Sequence, residues 1–453
     1  MIRLSPKDVH STLRKHMLVD GYEIVFDLEK SQGTYIYDAL EGKTYLDFFT
    51  CFATSPIGYN HPRMASPEFK EKLARAAVNK PSNSDVYSVE MAEFVDTFSE
   101  IAMPGYLPHL FLIEGGALAV ENALKVAFDW KVRKNFEKGY KGERGSKVIH
   151  FLQAFHGRSG YTLSMTNTAD PRKFMYFAKF DWPRVLNPKI TCPLNEENLK
   201  KVEEAEKESV RQIKKAIADH PDDIAALIIE PIQGEGGDNH FRNEFFVQLR
   251  QLAAESGFLL IYDEVQTGVG LTGKMWAHEH FDARPDIIAF GKKTQVCGIL
   301  AGKRVDEVEN NVFCEPSRLN STWGGNIVDM VRCQKYLEII QEENLVENAR
   351  VMGDYLLKEL QGLEKEFSDL VSNARGRGLF CAFNLPSSEI RDEFRKVAFK
   401  NRLAILGCGD RTIRFRPPLN VSRDELDQGL DIVRKSLKQI AAKGVPHVTR
   451  LEL

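Results

Sequence analysis

Residues 258–268 read Phe-Leu-Leu-Ile-Tyr-Asp-Glu-Val-Gln-Thr-Gly. An apolar run, Phe258–Tyr262, ends in two adjacent carboxylates, Asp263 and Glu264, and a short polar loop. A run that is apolar at every position, rather than at every second one, fits a strand covered on both faces. Similar runs occur at His109–Ile113, Val148–Phe155, Ala225–Ile229 and Ile287–Phe290. Helical patterns lie between them. Leu118–Val132 is one, and Leu199, Val202, Val210, Ile213 and Ile217 put an apolar stripe on another, whose Lys and Glu residues face out. This alternation predicts an α/β domain with a mostly parallel sheet flanked by helices. Ligands of such sheets bind beyond the carboxyl ends of the strands, so the polar residues that follow these runs are where chemistry is sought.

The flanks differ. Ser5-Pro6-Lys7-Asp8 has the form of a helix start. Gly33–Phe49 carries the turn Glu41-Gly42-Lys43 between two aromatic-rich runs, as in a hairpin. From about Met330 come long helical patterns, with short strands near Gly378–Phe383 and Ile413–Phe415. We expect a large domain over 61–329 and a smaller α+β domain built from 1–60 together with 330–453. A chain of 453 residues suits such a division. The net charge of −3 provides no global field for nucleic acid or an anionic membrane. The N-terminal stretch lacks the apolar core of a signal peptide, and no stretch approaches membrane-spanning length. Seven cysteines without a CxxC spacing argue against a disulfide framework or a metal site, and fit a reducing, cytoplasmic setting.

Two places carry chemistry. Side chains alternate across a strand, so Asp263 and Glu264 cannot point the same way. A carboxylate buried at a strand end needs a partner. A cationic ligand nitrogen, a helix cap or a salt bridge would each serve. The second place is Pro285-Asp-Ile-Ile-Ala-Phe-Gly-Lys292-Lys293, where another apolar run ends in two lysines. A lysine leaving a buried strand beside another cation has a lowered pKa and a more nucleophilic amine. The alternative is a pair of surface lysines.

Taken in order, these segments resemble the class III (ω-amino acid) aminotransferases of pyridoxal-phosphate (PLP) fold type I. Asp263-Glu-Val-Gln-Thr-Gly268 matches that family's Asp-Glu-x-Gln-Thr-Gly signature, and Pro285–Lys292 its Pro-Asp-Ile-x-x-x-x-Lys signature. Further matches are Gly58-Tyr-Asn-His-Pro62, Phe155-His-Gly-Arg158, Glu230-Pro-Ile-Gln-Gly-Glu235-Gly, Ser321-Thr-Trp-Gly-Gly325 and Arg414-Phe-Arg-Pro-Pro418. The resemblance implies that Lys292, not Lys293, holds PLP as an imine, and that Asp263 pairs with the pyridine nitrogen. It implies that Phe155, with His156 beside it, stacks on the ring, that Val265 covers the other face and that Gln266 neighbours the phenolic oxygen. Gly116 and Ala117 would present backbone N–H groups to the phosphate at a helix start, and Thr322 would reach the phosphate of a partner subunit in a homodimer with shared active sites. Arg414 would take the α-carboxylate of 2-oxoglutarate or glutamate, with Glu235 neutralising it when the amine donor is bound. Arg158 is the candidate for the distal carboxylate.

Three departures narrow the likeness. The phosphate loop is Gly115-Gly-Ala-Leu-Ala119 without hydroxyls, Lys292 is followed by Lys-Thr-Gln-Val-Cys-Gly298, and Gly270-Leu271 stands where the family has Gly-Arg. The first two of these, with Arg318-Leu-Asn-Ser-Thr-Trp-Gly-Gly325, resemble one subgroup, the L-lysine 6-aminotransferases. That implies transfer of the ε-amino group of L-lysine to 2-oxoglutarate by a ping-pong mechanism, with Arg158 and Asn320 holding lysine's carboxylate end. Ornithine or 4-aminobutyrate as amine donor, and a PLP-fold protein without catalysis, are the competing expectations.

Overall fold

In the computed structural model, which describes residues 4–443, the continuous apolar runs are strands. They belong to a seven-stranded sheet made of β3 (His109–Ile113), β4 (Lys147–Phe151), β5 (Arg184–Val185), β6 (Ile224–Ile229), β7 (Leu259–Asp263), β8 (Ile287–Phe290) and β9 (Cys297–Ala301), in the order β3-β9-β8-β7-β6-β4-β5. Only β9 runs against the rest. Two hairpin strands precede the sheet, β1 (Tyr35–Asp38) and β2 (Lys43–Asp47), paired in register from Tyr35↔Leu46 to Asp38↔Lys43 around Gly42 at φ +66°.

Strand alternation explains why every position of β6, β7, β8 and β9 is buried. Leu259 and Ile261 enter one apolar cluster with Ala119, Val120 and Ala123 of the helix Gly116–Glu137. Leu260 and Tyr262 enter the other, with Phe245, Phe246 and Leu249 of the helix Asn243–Ser256. Each fully covered Leu or Ile contributes about 1.5–3 kcal/mol, so the sheet is the rigid platform on which the loops at its edge are held. The charged helix Glu196–Asp219 turns Val202 and Ile213 inward and is capped by Asn195, whose side chain accepts the Asn198 N–H.

Five more strands follow among the described residues: β10 (Ser372–Arg377), β11 (Phe380–Asn384), β12 (Leu403–Ala404), β13 (Leu406–Cys408) and β14 (Thr412–Phe415). β10-β11-β14-β13 form an antiparallel sheet, while β12 lies parallel to β2, so segments from near both ends of the chain share one sheet. Helices Ile327–Glu342, Leu345–Glu366, Ser388–Lys400 and Arg423–Ala442 account for the long C-terminal patterns. No helix of the described residues is long and apolar enough to cross a membrane.

Two boundaries differ from the sequence expectation. The run Val148–Phe155 is not one strand to its end. β4 stops at Phe151 because Gln153 adopts φ +64°, outside any strand conformation, so Phe155 sits in the following loop rather than at a strand terminus. The helix expected from Leu118 begins at Gly116. Its first turn has no preceding turn to bond, so apolar periodicity does not mark it.

Candidate active site

The carboxyl ends of β3, β4, β6, β7 and β8 share one edge of the sheet, and each delivers residues to one cavity of about 300 Å³. β3 leads to Gly116 and Ala117, β4 to Phe155, His156 and Gly157, and β6 to Glu230. β7 ends in Asp263 and continues to Val265 and Gln266, while β8 leads through Gly291 to Lys292.

The alternation along β7 separates its two terminal acids. Asp263 continues the face of Leu259 and Ile261 and lines the cavity. Its Oδ2 accepts from His156 Nδ1 at 2.8 Å and its Oδ1 accepts the Val265 N–H at 3.1 Å. A carboxylate partner requires the His156 proton on Nδ1. His156 is itself fixed, its N–H donating to Thr166 Oγ1 at 3.0 Å. Glu264 turns to the other face and accepts the N–H groups of His278 (2.7 Å) and Ala277 (3.0 Å). Burial alone would raise its pKa, but the bonds from His278 and Thr267 hold it below the usual carboxylate range. Asp263 is thus the acid presented to a ligand, and Glu264 braces the loop behind it.

The two lysines also diverge. Lys292 lines the cavity and takes φ +56°, an uncommon backbone for a residue with a side chain. Lys293 points away, fully buried, and donates to the Gln266 carbonyl at 2.8 Å. Burial lowers the pKa of the Lys292 amine; the Asp263 charge opposes that shift and Arg414 adds to it. An amine held this way is available as free base at lower pH than an exposed lysine.

At the opposite end, Gly115 (φ +97°) starts the helix Gly116–Glu137, and among the described residues no side chain caps it. A Cβ on Gly116 would sit 2.8 Å from Val265 Cγ1. The helix start therefore approaches the wall of the cavity as closely as a glycine permits, leaving its first N–H groups for an anion. Gly116→Ala is expected to push Val265 into the cavity and weaken binding of a phosphate-bearing ligand about tenfold; titration of the apoprotein with PLP, followed by absorbance, measures it.

Glu230, buried where β6 ends, was not singled out from the sequence. Its carboxylate accepts the N–H groups of Phe155 and Gly234, each at 3.0 Å, and so brings the Phe155 ring to the cavity although β4 has already ended. Burial pushes its pKa up to about 7, with His156 opposing the rise and Asp263 adding to it. A visible signal existed: like Asp263, it is an acid directly after an apolar run. Gln266 is fixed by Arg416, whose Nη2 donates to Gln266 Oε1 (3.1 Å) and to Asp238 Oδ1 (2.7 Å).

Beside the cavity lies the Arg414–Glu235 pair, with Nη2 and Oε2 3.0 Å apart. Arg414 is buried, and its Nε and Nη1 have no partner among the described residues. Glu235 has a second cation, Lys173, which donates to its Oε1. The pKa of Glu235 is lowered in spite of burial, by Arg414 and then Lys173. Lys173 had no marker in the sequence. Arg158, Asn320 and Thr322 are exposed and do not line the cavity.

A model of class III aminotransferases matches residues 17–437. The chain belongs to the class III aminotransferases. The L-lysine-epsilon aminotransferase of Mycobacterium tuberculosis is 52% identical over 434 residues, 96% of each chain. That of Amycolatopsis lactamdurans is 47% identical over 433 residues, covering 95% of this chain and 96% of the relative. A solved lysine aminotransferase from M. tuberculosis, in its internal aldimine form, superposes with a TM-score of 0.94 over 96% of this chain and 100% of the other, at 52% identity. The aminotransferase has fold type I, and its cofactor is pyridoxal phosphate. The cavity fits that group: an uncapped helix start suits the phosphate, a histidine-braced acid suits a protonated ring nitrogen, and a buried amine of lowered pKa lies on the same cavity.

Proposed function

We propose that this aminotransferase moves the ε-amino group of L-lysine to 2-oxoglutarate, giving 2-aminoadipate 6-semialdehyde and L-glutamate in a ping-pong cycle. The carrying observation is the Arg414–Glu235 pair beside Lys292: a buried guanidinium neutralised by a carboxylate, with two of its nitrogens without a partner among the described residues. While the pair is closed, an amine without an α-carboxylate at its reacting carbon is accepted, because no unpaired cation is left buried. When Glu235 leaves, Arg414 offers a two-pronged seat for the α-carboxylate of 2-oxoglutarate. The name borne by relatives about half identical over nearly the whole chain supports lysine as the donor.

Pyridoxal phosphate, when bound, supplies an electron sink for the charge that develops at the amine-bearing carbon. Gly116 and Ala117 would hold its phosphate, Phe155 and Val265 would enclose its ring, and Gln266 would lie at its phenolic oxygen. Asp263, oriented by His156, would keep a proton on the ring nitrogen. The Lys292 amine would take the proton from the substrate carbon and return it on the cofactor side, acting as base and then acid. Ping-pong exchange follows from one site serving both substrates in turn.

Arg158 and Asn320 would hold the lysine carboxylate, and Thr322 would complete a partner's phosphate site in a homodimer. That Thr322 is exposed and outside the chain's own cavity supports a shared site. The division into 1–60, 61–329 and 330–453, and a cytoplasmic setting without nucleic-acid or membrane partners, belong to the same proposal. Arg414→Ala tests the reading. We expect the second half-reaction to need about a hundredfold more 2-oxoglutarate, while the lysine half-reaction is retained. Separate single-turnover measurements of the two halves decide it, and equal losses in both would count against the assignment.

A further inference from the structure

Glu235 is held by two cations at once, one carboxylate oxygen on Arg414 and the other on Lys173. The two differ in setting. Arg414 is buried on β14, whereas Lys173 ends a short 3-10 turn, Pro171–Lys173, and walls an open cleft of about 580 Å³ together with Glu235. Its ammonium lies 6.0 Å from the centre of the Phe155 ring, so the cleft adjoins the cofactor cavity.

The backbone of Glu235 has little freedom. Its carbonyl accepts the Gly409 N–H at 2.8 Å, and the next residue, Gly236, is so close to the Gln153 carbonyl that a Cβ would lie 2.1 Å from it. Movement of the carboxylate away from Arg414 is therefore a side-chain rotation about a fixed point, and it ends where a partner lies within side-chain reach. The other cleft cations are engaged elsewhere: Arg172 on Asp170 (2.8 Å), Arg391 on Asp392 (2.9 Å) and Arg395 on Asp392 (3.6 Å). Lys173 is the cleft cation already on Glu235.

We propose that Lys173 is a positioning residue for substrate alternation: it keeps the Glu235 carboxylate when that group leaves Arg414, so that the dicarboxylate keto acid displaces one ion pair without stranding a charge. This rests on the reading of 2-oxoglutarate as acceptor. Without Lys173, the closed pair loses its competing cation and the open position loses its anchor, and both changes disfavour opening. The amine half-reaction, run with the pair closed, feels neither.

The test uses PLP-loaded enzyme. The two half-reactions are followed separately, and binding of glutarate, a dicarboxylate that cannot react, is measured by calorimetry. Lys173→Gln is expected to raise the glutarate dissociation constant about fivefold to tenfold and to lower the ratio of 2-oxoglutarate to lysine half-reaction efficiencies by the same factor. Lys173→Arg, which keeps the charge, should restore both to within about twofold. In a Glu235→Ala background Lys173→Gln should change neither, since Lys173 acts through Glu235. A loss that persists in that background, meaning direct contact with substrate, would overturn the inference, as would equal losses in both half-reactions. A wild-type enzyme that accepts lysine but is not regenerated by 2-oxoglutarate would overturn the acceptor reading itself, and the inference with it.

Discussion

Replacing Lys292 with alanine should lower turnover by at least about 10⁴-fold, because one change removes both the proton-transferring amine and the covalent anchor of the cofactor. The substitution is mild for the fold. The position already lies at φ +56°, no harder for alanine than for lysine. The neighbouring Lys293 cannot substitute, since its amine donates to the Gln266 carbonyl and does not line the cavity. Steady-state assay with lysine and 2-oxoglutarate measures the loss, and the absorption spectrum of dialysed protein reports whether cofactor is still held covalently. Substantial activity in a folded Lys292→Ala protein would refute the role assigned to this amine.

The second large effect is expected at Asp263. Asn preserves the shape and its one oxygen can still accept the His156 Nδ1 proton, but its amide nitrogen cannot accept the Val265 N–H, so Asp263→Asn removes the charge and one backbone bond. A protonated ring nitrogen then loses its counter-ion in a buried site, and stabilisation of the developing charge weakens by about 10²–10³-fold in the rate of the amine half-reaction. Stopped-flow measurement with lysine as donor checks this. The retained His156 bond makes the interpretation sharp: a folding defect would appear in thermal unfolding, whereas loss of charge stabilisation would appear in the half-reaction alone. A rate within about threefold of wild type would mean that the acid serves only to brace His156.

Much of this site was legible in the sequence for one physical reason. In a mostly parallel sheet the chemistry lies where apolar runs end, and Asp263 and Lys292 are each within two residues of such an end. Strand alternation separated Asp263 from Glu264, and the structure shows the separation in their hydrogen bonds. Phe155 lay further off because Gln153 breaks the strand early; what carries the ring to the cavity is Glu230, through a backbone contact across 75 positions that no local pattern contains. Lys173 was invisible for a similar reason. It sits in a polar turn with ordinary composition, and its meaning arises only from a carboxylate 62 residues later. Arg158, Asn320 and Thr322 carry motif likeness, but they are exposed and do not line the cavity. The hydroxyl-free loop Gly115–Ala119 turned out to have its own logic, a helix start brought against Val265 as only glycine allows.

Following the nitrogen shows which amine of lysine is transferred. The enzyme is incubated with L-lysine carrying heavy nitrogen at the ε position only, 2-oxoglutarate and PLP, and both products are weighed by mass spectrometry. Transfer of the ε-amine gives glutamate that carries the heavy nitrogen and a semialdehyde, with its cyclised form, that does not. Unlabelled glutamate beside a lysine-derived product that keeps the label would show that the α-amine had been taken instead, and would contradict transfer of the ε-amine.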